Sequence, residues 1–189
     1  MKIYFDASGR GFDEYGEKYN AIVGCLEKMG FSVLNNTLSQ SVANEYYEGS
    51  QEDRVKRYSR LIKLLKESDI VVLEISTHSL SMGYWLQKAL ELSKPIIALY
   101  FKGHKPFFVD GVQDEKLQVI EYTLDDLDKL LEYAISYASD QQDTRFNFFI
   151  SPIHQSYLDW IAKNRKIPRS VFLRRVIEKH KEENEEYQG

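Results

Sequence analysis

The chain has 189 residues and carries 25 Lys and Arg against 29 Asp and Glu, a net charge of −4. That length suffices for one good core plus a small appendage, and 43% hydrophobic with 29% charged residues is the composition of an ordinary soluble protein. A single cysteine, Cys25, excludes a disulfide framework or cysteine metal cluster, and no apolar run approaches a membrane span.

Lys2 leads straight into a strand without the apolar stretch of a secretion signal, so a cytoplasmic location is expected. Charge is unevenly spread. Residues 1–142 hold 16 basic against 22 acidic side chains, residues 143–180 hold 8 against 3, and the tail from Lys181 holds 1 against 4. A basic segment attached to an acidic domain points to an anionic partner for that segment alone.

In chain order, Lys2–Asp6 alternates as a first strand, and Ser8–Gly11 is a turn. A helix over Asp13–Met29 places Tyr19, Ile22, Val23, Leu26 and Met29 on one face, with Gly30 as a left-handed stop. Phe31–Leu34 is a second strand. Asn35–Gly49 is polar, a variable loop with room for a short helix. A helix over Gln51–Glu67 turns Val55, Tyr58, Leu61, Ile62 and Leu65 toward the sheet. Ile70–Leu73 is a buried strand, and a polar loop follows. Leu80 to Leu92 is helical, closed by Lys94 and Pro95, and Ile96–Phe101 is another strand. Leu117–Tyr122 is a fifth strand and Leu124–Ala138 a helix.

Strands alternating with helices make an α/β fold, a doubly wound, five-stranded parallel sheet of flavodoxin-like order 2-1-3-4-5. Ligands of such sheets bind at the carboxyl ends of the strands, which directs attention to the loop Ser76–Gly83. Residues 1–138 form this domain, 139–144 a polar linker, and 145–187 a second domain. His78 and His154 lack metal-ligand spacing, so neither metal nor cofactor is expected.

The segment SDIVVLEISTHSLSMGYWLQKALELSKPII resembles the pattern ADVVVAEVTxPSLGVGYELGxAxxxxKPIL of nucleoside 2-deoxyribosyltransferases and deoxynucleoside-phosphate N-hydrolases. The opening KIYFDASGRG resembles their KIYFAGSIRGG at Tyr4, Phe5, Ser8, Arg10 and Gly11. The resemblance implies that Ser8, Arg10, Gly11, Ser79, Ser81 and Gly83 held a nucleotide's 5′-phosphate and sugar. It also implies a Glu nucleophile where this chain has Trp85, and a second carboxylate where it has Leu61. The first domain is therefore read as inactive. Trp85 either stacks on a base or fills the old pocket, and a nucleotide or nucleoside monophosphate remains a possible ligand. Glu74 or Asp53, as displaced carboxylates, carry the alternative of an active N-glycosidase or transferase.

In the second domain Phe146, Phe148 and Ile150 alternate with Arg145, Asn147 and Phe149, followed by helices opening near Pro152 and Pro168. About forty residues with one strand and two helices cannot bury these faces alone. The pattern resembles the ribbon-helix-helix repressors of the Arc and MetJ type, with Ser151 at the usual proline and Ile167 near the usual turn glycine. That resemblance implies a homodimer or homotetramer bound to double-stranded DNA. Arg145, Asn147 and Phe149 would face bases, and Lys166, Arg169 and Ser170 a phosphate. The function expected from the whole chain is a DNA-binding transcriptional regulator whose first domain is an assembly platform or nucleotide sensor. A scaffold whose second domain only dimerises stands as a further alternative.

Overall fold

The computed structural model describes residues 1–35, 49–140, 149–165, 167 and 169–184, which fall into two compact units, Met1–Arg145 and Phe146–Gly189. The first unit is built on five parallel strands: β1 (Lys2–Ala7), β2 (Ser32–Leu34), β3 (Ile70–Glu74), β4 (Ile96–Phe101) and β5 (Leu117–Tyr122). Their order is β2-β1-β3-β4-β5, the expected one. Every residue of β3 is buried, because a central parallel strand is covered on both faces, and it is apolar up to Glu74 at its carboxyl end. The register Asp6↔Leu73 and Ala7↔Glu74 brings the carboxyl ends of β1 and β3 level, at the point where the strand order reverses.

Helices cover both faces. On one face α1 (Phe12–Lys28) and α4 (Leu127–Asp140) bury Tyr19, Ile22, Cys25, Leu26, Leu131 and Ala134 against Ile3, Phe5, Ile70 and Val72. On the other, α2 (Gln51–Glu67) and α3 (Leu80–Glu91) bury Leu61, Leu65, Trp85, Leu86 and Ala89 against Tyr4, Val71 and Leu73. Alternate residues of each strand serve alternate faces, as the pleat dictates. A fully buried Leu or Ile contributes about 2 kcal/mol, so these two layers dominate the stability of the unit.

Local chemistry sets the helix ends. Ser50 caps α2 with a reciprocal capping box, its hydroxyl accepting from the Asp53 N–H while the Asp53 carboxylate accepts from the Ser50 N–H. Gly30 ends α1 at φ 84°, the expected left-handed stop. Helix α4 starts at Leu127 rather than Leu124. The Asp126 carboxylate accepts the Thr123 N–H and its carbonyl the Leu130 N–H, so the helix begins after Asp126 and leaves Leu124 exposed. The short helix foreseen within Asn35–Gly49 lies mostly outside the described residues.

The expectation for α2 is corrected in its first half. Val55 and Tyr58 do not face the sheet: they are 58% and 46% exposed, and only Leu61 and Leu65 are buried. Likewise Leu80 of α3 is 94% exposed. An open cavity lies against Tyr58 and Leu80, so no sheet residue covers them.

In the second unit, made of α5 (Pro152–Arg165) and α6 (Arg169–Glu182), Leu158 and Ile161 of α5 are the only buried side chains among the described residues. Tyr157 stacks on Trp160 at 6.2 Å and meets Phe172 edge-on. Of the expected strand, only Phe149 and Ile150 are described. Neither is in a strand, and Phe149 is fully exposed. Among the described residues, no helix is long and apolar enough to cross a membrane, and no cluster of His, Cys, Asp or Glu could hold a metal ion.

Candidate active site

A cavity of about 660 Å³ opens at the carboxyl ends of the strands, on the face that carries α2 and α3. This is a volume typical of small-molecule sites. The turn after β1 gives it Arg10, and α2 gives Arg54, Arg57, Tyr58 and Leu61. The start of α3 gives Ser79, Leu80, Ser81, Tyr84 and Trp85. Sequence reading singled out Arg10, Ser79, Ser81 and Trp85, and they meet here. Arg54, Arg57 and Tyr58 were missed: their spacing on one helix is a signal, but it reads equally as a solvated face.

Two kinds of surface share this cavity. Three guanidinium groups and the amino end of α3 make it electropositive, for α3 has no acidic residue in its first turn to offset its terminal N–H groups. The Ser79 and Ser81 hydroxyls lie 2.8 Å apart at that end. The other surface is aromatic. Tyr58 and Trp85 stack with their planes 24° apart, Tyr84 meets Trp85 edge-on at 5.2 Å, and the Tyr58 and Tyr84 hydroxyls are 2.5 Å apart. Such a surface offers stacking to a planar ring, and arginines with a helix amino end offer charge and N–H donors to an anion.

Ser8, Gly11 and Gly83, which the resemblance grouped with these residues, do not line the cavity. Ser8 is buried, and its carbonyl accepts the Gly11 N–H and the Tyr19 hydroxyl. A Cβ on Gly11 would lie 2.1 Å from Thr77 Oγ1, so glycine at 11 lets the turn after β1 pass the loop after β3. A Cβ on Gly83 would approach only Phe108, at 3.9 Å.

Leu61 and Trp85, the two positions that the resemblance assigns to carboxylates, both line the cavity, and the described lining holds no Asp or Glu. Neither proposed replacement reaches it. Asp53 is occupied by its capping box, whose Ser50 hydrogen bonds hold its carboxyl below the usual range. Glu74 is fully buried against the opposite layer, bonded by the Ser76 and Tyr122 hydroxyls. Burial pushes its carboxyl up to about 7.

A carboxylate that sequence reading passed over does lie on the cavity side. Asp6 ends β1, is 2% exposed, and accepts the Tyr4 hydroxyl at 3.0 Å and the Ala7 N–H at 2.9 Å. Burial pushes it up to about 7, outweighing both hydrogen bonds. The available signal was its occurrence as the lone charged residue in the otherwise apolar run Ile3–Ala7.

In the second unit, Arg145, Asn147 and Lys166 lie outside the described residues. Arg169 is ion-paired with Asp159 within the unit, and Ser170 is exposed.

No family model matches the chain. Among curated proteins, it is 30% identical over 140 residues to a 5-hydroxymethyl-dUMP N-hydrolase of Danio rerio, covering 70% of this chain and 94% of that one. To the protein of the same name from Esox lucius it is 31% identical over 137 residues, covering 70% and 94%. Among solved structures, a Clostridium botulinum CMP N-glycosidase, BcmB, superimposes with a TM-score of 0.49 at 20% identity, over 70% of this chain and 99% of that one. These relatives overturn the expectation of a DNA-binding transcriptional regulator, because the two proteins that this chain matches in sequence are named as nucleotide N-hydrolases. The basic second unit is the shorter part of the molecule, and the match to these relatives extends over 70% of the chain. With near-complete coverage of two relatives at 30% identity or better, the chain belongs to the family of the 5-hydroxymethyl-dUMP N-hydrolases.

Proposed function

We propose that the chain hydrolyses the N-glycosidic bond of a 2′-deoxynucleoside 5′-monophosphate, releasing the base and the sugar phosphate. The observation that supports this reading is the joining of three arginines and the amino end of α3 to an aromatic wall in one cavity at the switch point of the sheet. The phosphate would sit among Arg10, Arg54, Arg57 and the first turn of α3, and the base against Tyr58 and Trp85. Ser79 and Ser81 add hydroxyl donors for the phosphate or sugar. In this arrangement the phosphate anchors the substrate, and its binding energy holds the glycosidic bond in place for attack by water.

The experiment is to incubate the full chain with a panel of nucleoside and 2′-deoxynucleoside 5′-monophosphates and the matching nucleosides, separating free base by chromatography. Base release from the phosphorylated substrates, with KM raised at least about tenfold by Arg57→Ala, is the expected result. Absence of base release from every member of the panel overturns the proposal.

A further inference from the structure

We infer that Asp6 is the acid of this site, supplying the proton that the departing nucleobase takes up; the inference rests on the hydrolytic reading above. A cavity lined by arginines, serines and aromatic rings can hold a nucleotide, yet none of these groups is suited to protonating a leaving base near neutral pH. Asp6 is the carboxyl that stands behind the cavity wall, on the cavity's side of the sheet. It follows Tyr4 by two residues and so shares its face of β1, and the Tyr4 hydroxyl bonds to it directly. The Tyr4 ring in turn lies 6.3 Å from that of Trp85, which forms the cavity wall. Arg10, four residues on, lines the cavity, and Asp6 itself lies one layer behind its wall, 2% exposed. The two positions that the resemblance assigns to carboxylates hold Leu61 and Trp85 in this chain.

The surroundings keep the proton on. The two hydrogen bonds to Asp6 come from neutral donors, and burial outweighs them, so the carboxyl stays protonated up to about neutrality. Tyr4 lies on its own strand, and the charged and titratable groups that the neighbouring elements turn to the cavity are Arg10 in the following turn, Arg54, Arg57 and Tyr58 on α2, and Tyr84 on α3. On the adjoining β3, Glu74 is turned to the opposite layer. In the reaction the C1′–N bond breaks and its electron pair passes to the base nitrogen, which takes the Asp6 proton. Water forms the C1′–O bond and releases a proton that restores the Asp6 carboxyl. A general acid acts at hydrogen-bond distance or through one water, and typically contributes a factor of about 10²–10⁴.

The test measures base release from the preferred nucleotide between pH 5 and 9 for the full chain, Asp6→Asn, Tyr4→Phe and Glu74→Gln, with thermal unfolding of each. Asp6→Asn is expected to lower kcat by about 100-fold or more with KM within about threefold, and to abolish the fall of activity above pH 7. Tyr4→Phe removes a hydrogen bond that favours the ionised carboxylate, so its activity should persist to higher pH than that of the parent. Glu74→Gln should retain the parent's profile. An active parent whose kcat and pH profile survive in Asp6→Asn overturns the role of Asp6 and leaves the hydrolytic reading standing. If Asp6→Asn does not fold, Tyr4→Phe decides: an unmoved alkaline limb overturns the inference. A parent that releases no base overturns both.

Discussion

Asp6 and Glu74 are the same kind of group in neighbouring strands, one residue apart in register, and both are held at about 7 by burial. What separates them is the side of the sheet. Glu74 lies where Tyr122 and Ser76 donate to it, and the Ser76 hydroxyl also accepts the Phe101 N–H at 2.7 Å, which ties the end of β3 to β4. Asp6 stands behind Tyr4 and Trp85, on the side of the cavity. A shifted carboxyl is thus no mark of chemistry by itself. Its neighbours decide whether it cross-braces a sheet or serves a ligand.

The largest test of this comparison is the dependence of stability on pH. Each carboxyl titrates near 7 when folded and near 4 when unfolded. Between those values the folded chain binds protons that the unfolded chain has lost, so stability must fall as pH rises from about 4 to 7 and stay low above it. As upper figures, Asp6 accounts for about 4 kcal/mol and Glu74 for about 3 kcal/mol. Urea unfolding at pH 5 and 8 should show that fall in the parent, and Asp6→Asn and Glu74→Gln should each remove one share. An unchanged slope in either variant would show that its carboxyl is not held protonated.

A smaller effect, about 2 kcal/mol of destabilisation, is expected of Gly11→Ala, because the added methyl group meets Thr77 Oγ1 and the Tyr19 hydroxyl. Gly24→Ala meets nothing within 4 Å and should instead stabilise α1 by about 0.5–1 kcal/mol. Thermal unfolding of the pair separates a steric demand on the Glu74 side from a general intolerance of substitution. Smallest is Tyr122→Phe, which removes one donor from Glu74 and should cost about 1 kcal/mol while leaving base release unchanged. A loss of activity there would blur the division between the two sides.

Much of the fold was legible because its elements obey simple periodicities. The apolar runs Ile70–Leu73 and Ile96–Phe101 could only be covered strands, and Gly30 sits where a helix end requires it. The site was legible only in its loops. Arg10, Ser79 and Ser81 stood out through quoted motifs, whereas Arg54, Arg57 and Tyr58 sit on a helix whose exposed and cavity-lining faces have the same composition. Asp6 was hidden for a different reason. Nothing in a strand pattern distinguishes a carboxylate turned into a protein from one at the strand's wet end. The second unit misled because helical patterning in a short basic segment fits many architectures, and its resemblance to DNA-binding repressors outweighed the longer match.

Cys25 offers a chemical clock for this molecule. It is the only cysteine in the chain, lies buried on the inner side of α1, and burial pushes its thiol up to about 12. Only the thiolate attacks alkylating reagents, so the folded protein is nearly inert to them and modification proceeds through openings of the layer that α1 covers. The rate of labelling thus counts excursions of the sheet face opposite the cavity, independently of the face that α2 and α3 cover.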